Sequence, residues 1–144
     1  MARGTRIPLH SVLHLLHRAG QKADALFAQH IGKSPLTARQ FAILHAVAKA
    51  DGLSQTAIMA ATGIDRSSTA ELVRRLVAQG WLTRRRTRRD QRLYAVRLTA
   101  RGRHALTLGA RANRAAEESL LAGVPAAQRA RFCRTLALLA DAAE

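Results

Sequence analysis

Nine arginines and one acid, Asp90, lie between Arg84 and Arg103, the densest charge in a chain of 144 residues and formal net charge +15. Nearly all the cations are arginines, the lysines being Lys22, Lys33 and Lys49. A guanidinium presents a rigid fork of donors that matches phosphate oxygens and guanine edges, so arginine in place of lysine points to nucleic acid. The competing reading is a basic surface on which arginine merely replaces lysine. Histidine forms the second pattern. His10, His14 and His17 recur at i, i+4 and i+7, one face of a helix, and Gln21 continues the line. That spacing can surround zinc, line a ligand pocket or sit in a seam between subunits. His45 and His104 could supply further ligands, but convincing carboxylate partners are missing. Cys133 stands between two cations, Phe132 beside it, with Arg131 and Arg134 on either side. It is either a buried inert residue or a redox-sensitive thiol.

Catalytic chemistry has no support. The chain holds no Gly-rich phosphate loop, no Ser/His/Asp framework and no dense carboxylate cluster, so an enzyme is not expected and no cofactor or metal is assigned. One cysteine excludes an intrachain disulfide and suits a reducing compartment. No apolar run reaches the ~20 residues that span a bilayer, and the start, MARGTRIPLH, lacks the apolar core of a signal peptide. A cytoplasmic protein without a membrane partner is expected.

The elements that must position these residues are mostly helices. Pro8 opens a pattern of Leu9, Val12, Leu13, Leu16, Ala19, Ala23, Leu26 and Phe27, broken by Gly32, Ser34 and Pro35. Thr37 caps a second helix with an apolar stripe of Phe41, Leu44, Val47 and Ala48. Ser54 caps a short third helix that stops at Gly63. Asp65 caps a fourth, with Thr69, Leu72, Val73, Leu76 and Val77 inward and Gly80 as its stop. Two helices joined by the tight Thr62-Gly63-Ile64 turn form a helix-turn-helix pattern.

The period then changes. Leu82-Thr83-Arg84 and Leu93 to Leu98 read as two strands around a polar, basic tip. Thr99 caps a long Ala-rich helix to about Leu121, weakly interrupted by Gly102 and Gly109, and Pro125 starts a last helix with Phe132, Leu136 and Leu139 on one face. The fold expected is mainly α with a small β-hairpin wing: a winged helix-turn-helix over residues 36–99, flanked by dimerisation helices over 1–35 and 100–144. A two-fold dimer is the simplest cover for the apolar flanks. Residues 36–99 carry twelve Lys/Arg against four Asp/Glu, and the remainder twelve against five, so the excess charge is not confined to the module.

With these elements in place, the chain resembles the MarR family of bacterial transcription regulators. The resemblance is carried by LTARQFAILHAVA, GIDRSSTAELVRRLVAQGWL, RRDQR and LTARG, from about Leu36 to Leu106. It implies an obligate homodimer, one winged helix-turn-helix per subunit, a palindromic double-stranded DNA operator and release by a small, often aromatic or anionic, effector. Some members of the family respond instead to oxidants or zinc. Glu71, where a basic or polar residue is commoner, and Met59, where alanine is usual, depart from the pattern.

The fourth helix brings Arg66, Ser67 and Ser68 to its N-terminal end, where dipole and free N–H groups favour a phosphate and side chains can reach base edges. Ala70, Glu71, Arg74 and Arg75 follow outward, Glu71 either accepting from cytosine N4 or orienting Arg75. The arginines pair with Glu71 on a solvated face if DNA is not their partner. Arg84, Arg85 and Arg86 alternate sides of their strand, so not all three face DNA together; Arg86 is assigned to it. Arg88, Arg89, Asp90 and Arg92 form the tip. By resemblance, Arg92 enters the minor groove and Asp90 directs it. The resemblance also implies an effector site where the first, second and long helices converge, with His14, His17 and His45 as its candidates. The runner-up function is an architectural, non-specific DNA-binding protein.

Overall fold

Short polar side chains decide where four of the helices begin. Thr37, Ser54, Asp65 and Thr99 each hold extended backbone one residue ahead of a helix, and each accepts a backbone N–H three residues on, from Gln40, Ala57, Ser68 and Gly102. Every such bond satisfies an amide that the helix itself leaves without a partner. At Thr37 the exchange is reciprocal, since the Gln40 side chain accepts the Thr37 N–H at 3.1 Å. The computed structural model describes residues 11–50, 52–87 and 94–141. Within them the order is α1 (Val12–Ile31), α2 (Ala38–Ala48), α3 (Gln55–Thr62), α4 (Arg66–Ala78), β1 (Leu82–Arg86), β2 (Tyr94–Leu98), α5 (Ala100–Leu121) and α6 (Ala126–Ala140). Pro8, Leu9 and Leu93, expected to open the first helix and the second strand, lie outside the described residues.

Gly63 (φ 71°) ends α3 and Gly80 (φ 77°) follows α4, both in the left-handed region that a side chain disfavours. The chain then turns into an antiparallel hairpin in which Leu82 faces Leu98 and Arg86 faces Tyr94. Leu53, in the α2–α3 connection, adds a one-residue third strand through Leu53 N–H to Val96 O at 3.0 Å and Val96 N–H to Leu53 O at 2.8 Å. That bridge ties the hairpin base to the helix-turn-helix, which the sequence pattern had not suggested.

The core centres on α2. Ile43, Leu44 and Val47 meet Ile58, Val73, Leu76, Leu82 and Val96, all nearly inaccessible to water. The expected α2 stripe is therefore too narrow: Ile43 and Ala46 are also buried, and Ala48 is exposed. The reason is that α2 is covered on several sides, by α5, α3 and β2. Nor do Gly102 and Gly109 interrupt α5, which runs unbroken across both. They are close-approach points, where a Cβ at Gly102 would overlap the Trp81 carbonyl and one at Gly109 the Phe41 ring.

The flanking helices behave differently. In α1 only Phe27 is buried, and α6 buries no residue at all. Val12, Leu13, Leu138 and Leu139 are 66%, 71%, 75% and 60% exposed. Between α1, the end of α5 and α6 lies an apolar groove of about 570 Å³ that includes Leu16, Phe132 and Leu136. Cys133 is exposed in the single chain. Among the described residues no helix is long and apolar enough to cross a membrane.

Candidate DNA-reading face and effector cavity

α4 owes its orientation to one buried strip. Thr69, Val73 and Leu76 face the core, and the Thr69 hydroxyl donates to the Ile64 carbonyl at 3.2 Å. Arg66, Ser67, Arg74 and Arg75 consequently face solvent, with Ser68, Ala70 and Glu71 at the margin. The N-terminal end is less open to an anion than its sequence implies. Asp65 Oδ1 already accepts the Ser68 N–H at 2.9 Å and the Ser67 hydroxyl at 3.0 Å. A phosphate there would compete with a carboxylate, so the groups left to approach DNA are the Arg66 side chain and the remaining lone pairs of Ser67.

The same bonds govern Asp65 ionisation. The Ser68 N–H, then the Ser68 and Ser67 hydroxyls, lower its pKa from 3.8 to about 2. A depressed carboxylate stabilises the fold fully above its unfolded pKa and ceases to do so as pH falls through the folded value. The cap charge is thus expected to contribute in full above about pH 4 and to fade between 4 and 2. Asp65→Asn keeps a capping oxygen but not the charge. Its melting temperature should lie below wild type at pH 7, with the gap closing as pH approaches 2. A gap that stays constant in thermal melts across that range would refute the assignment.

Further along α4, Glu71 takes both neighbouring arginines. Arg75 Nε donates to Oε1 at 2.8 Å, and Arg74 donates through Nη2 to Oε2. These bonds hold the Glu71 carboxyl below the ordinary carboxylate range, the Arg74 bond being the larger cause. The pairing foreseen for a solvated face is therefore present in the free chain, and the arginines remain on the outward side.

On the hairpin, Arg84 and Arg86 share one face. Their guanidinium carbons lie 5.5 and 5.7 Å from the centre of the Tyr94 ring, and Arg86 Nε donates to the Tyr94 hydroxyl at 3.3 Å. The ring orients two cations without neutralising either. Arg85 alternates to the opposite side, as a strand requires. Arg66, Arg84 and Tyr94 also line a cavity of about 220 Å³ with Ser54, Gln55 and Thr56 at the start of α3. In sequence Arg84 is one of three alternating arginines and is not assigned to DNA, and Tyr94 reads only as a strand residue. Arg88, Arg89, Asp90 and Arg92 lie outside the described residues.

A second concavity, of about 730 Å³, opens between α2, α3 and α5. Its walls are small: Ala38, Ala42 and Ala46 descend one face of α2 toward Ala57 and Ala61 on α3. Its polar groups include His45, Lys49, Arg114, Asn113 and Glu117, and Asn113 Nδ2 donates to Glu117 at 3.1 Å. Phe41 supplies an aromatic wall, its ring 5.8 Å from that of His45. Lys49 and Arg114 outnumber the one carboxylate, so the lining favours an anion with a flat apolar body.

The histidines expected together are not together. His45 lines this cavity, whereas His14 is part-buried and His17 exposed on α1, which contributes nothing to the lining. α1 packs chiefly along α5 and only lightly on α2. His104 lies on another side of α5, beside Trp81. His10 is outside the described residues, among which no three His, Cys, Asp or Glu side chains gather as a metal site. Lys49, Asn113 and Arg114 were missed. The signal for Asn113 and Arg114 was the i, i+3, i+4, i+7 run of Ala110, Asn113, Arg114 and Glu117 on one face of α5.

Comparison with known proteins adds a family context. The MarR family model matches residues 34–93. The multiple antibiotic resistance protein MarR of Escherichia coli (strain K12) is 28% identical over 88 residues, 61% of this chain and 61% of that protein. Among solved structures, BpsR of Bordetella bronchiseptica, whose DNA binding is regulated by 6-hydroxynicotinic acid, superposes with a TM-score of 0.83 at 30% identity, covering 92% of this chain and 95% of that one. The PcaV transcriptional regulator of Streptomyces coelicolor, solved with its natural ligand, gives 0.85 at 33% identity, covering 94% and 95%.

Proposed function

Since the chain belongs to the MarR family, we propose that it is a homodimeric, sequence-specific transcription repressor that leaves a palindromic DNA operator when a small anionic effector binds. The observation that carries this reading is the α4 surface. Its inner strip is buried while Arg66, Ser67, Arg74 and Arg75 face outward beside the arginine-bearing hairpin. Residues 36–99 then form the DNA-binding module, and 1–35 and 100–144 the dimerisation flanks, in a protein acting in the cytoplasm. α4 enters the major groove. Arg84 and Arg86, held by Tyr94, reach the flanking backbone, Arg92, directed by Asp90, enters the minor groove, and Arg88 and Arg89 add to affinity.

Release follows from where the larger cavity lies. Two copies of α4 must stand about one DNA turn apart to enter successive major grooves. The α2–α3–α5 cavity separates the helices leading into α4 from the long helix that belongs to the dimer body. An anionic aromatic molecule seated by His45, Lys49 and Arg114 favours a different angle between the two and so shifts the population away from DNA. The 6-hydroxynicotinic acid that regulates BpsR is an aromatic acid of this charge class. His14 and His17 belong to the same proposal only if a partner subunit's helix brings imidazoles to the cavity mouth.

Fluorescence anisotropy tests the whole reading. The palindrome upstream of a regulated operon should bind at least about 10³-fold more tightly than scrambled duplex. Arg66→Ala should weaken operator binding by about 10- to 100-fold. An aromatic carboxylate should release wild type at concentrations that leave Arg114→Ala bound. Equal affinity for operator and scrambled duplex would favour the architectural alternative.

A further inference from the structure

α4 shows DNA less positive charge than its sequence carries. One carboxylate, Glu71, spends its two oxygens on two separate guanidiniums, those of Arg74 and Arg75. The arginine side chains are 69% and 64% exposed, and Glu71 stands between the N-terminal turn of α4 and the arginines. The hairpin is different: among the described residues Arg84 and Arg86 are held by the neutral Tyr94 ring.

We infer that Glu71 is a specificity-determining residue, a gate that keeps Arg74 and Arg75 on its carboxylate until the duplex offers that carboxylate a base-edge donor of its own. This rests on the reading of α4 as the helix that enters the major groove. An exposed ion pair is weak, so a phosphate or a guanine edge can take either arginine from Glu71. The carboxylate left behind then faces a groove wall rich in acceptors and flanked by phosphates. Only an exocyclic amine, cytosine N4 foremost, satisfies it there. On a matching sequence both halves of the exchange are fulfilled. On any other, the arginines stay with Glu71 and give up phosphate contacts, or they leave and strand a carboxylate amid negative charge. Attraction is thereby converted into discrimination, a repulsive element built against wrong sites. Arg84 and Arg86, oriented by the Tyr94 ring, supply sequence-independent affinity.

Glu71→Gln tests the gate, because it keeps the shape and removes the charge. Among the described residues the Glu71 carboxylate bonds Arg74 and Arg75 of its own helix, so thermal melts should remain those of a folded protein. In anisotropy titrations over a range of salt, E71Q should bind scrambled duplex about tenfold more tightly, with a salt slope steeper by about one per subunit. Its operator-to-scrambled preference should fall by about tenfold or more. The gate is refuted if scrambled-duplex affinity and salt slope are unchanged while Arg75→Ala still weakens operator binding. If E71Q, Arg74→Ala and Arg75→Ala all leave DNA binding as it was, α4 is not the reading helix and the gate fails with it.

Discussion

Gly102→Ala is expected to cost roughly 3 kcal/mol of stability and to lower the melting temperature by on the order of 10 °C. Helix propensity alone predicts the opposite sign, since alanine inside a helix is favoured over glycine by about 1 kcal/mol. The deciding fact is what lies above Gly102. A Cβ there would overlap the Trp81 carbonyl oxygen and press on Leu98. That carbonyl cannot swing away, because it accepts the Thr99 N–H at 3.1 Å while the Trp81 N–H donates to Leu76 at 3.0 Å. The Thr99 hydroxyl locks the same crossing by donating to the Gly80 carbonyl at 2.6 Å and accepting the Gly102 N–H at 2.9 Å. A methyl group must therefore break part of this lattice or displace α5 from the base of the hairpin. Gly109→Ala is the control. Its Cβ would meet the side chains of Phe41 and Leu36 rather than backbone. Side chains can rotate, so its cost should be smaller. Thermal melts that place Gly102→Ala at or above wild type would refute this account of the junction.

That junction also marks the limit of what the sequence makes legible. The local devices are readable: Thr37, Ser54, Asp65 and Thr99 cap, and Gly63 and Gly80 stop, because each acts within three or four residues of itself. Contacts between distant segments are not. Gly102 has the look of a weak spot in a helix, and its reason is a carbonyl 21 positions earlier. Leu53 pairs with Val96 through a single bridge, too short to leave an alternating pattern. The same limit governs the candidate sites. The outward face of α4 follows from helical period, whereas the larger cavity arises from alanines on two helices facing a charged strip on a third. His14 and His17 share a sequence spacing, but α1 leans on α5 and leaves His45 to different company. Ile43 escaped notice because α2 is buried on more than one side, and a single-stripe reading suits a helix with one buried face.

The other large effect belongs to the uncovered apolar face. Leu16→Glu combined with Leu136→Glu is expected to yield a monomer by light scattering and to weaken operator binding by at least about 100-fold. Both residues line the groove between α1 and α6 and are 43% and 37% exposed in the single chain, beside the more exposed Leu13, Leu138 and Leu139. A contiguous apolar surface of this kind marks a protein interface, and in the proposed dimer a second copy covers it. A carboxylate in each half of that seam would be buried without a partner, a far larger penalty than the loss of two leucines alone. The module itself should survive. Its core is built from Ile43, Leu44, Val47, Ile58, Val73 and Leu76, none of them on this face. Circular dichroism should accordingly retain most of the helical signal, which separates loss of assembly from loss of fold. The loss of affinity follows from geometry, since a monomer brings one α4 and one hairpin to the duplex and forfeits the second half-site that the dimer holds in register. A variant that stays dimeric, or a monomer that binds the palindrome as tightly as wild type, would overturn the assignment of this face.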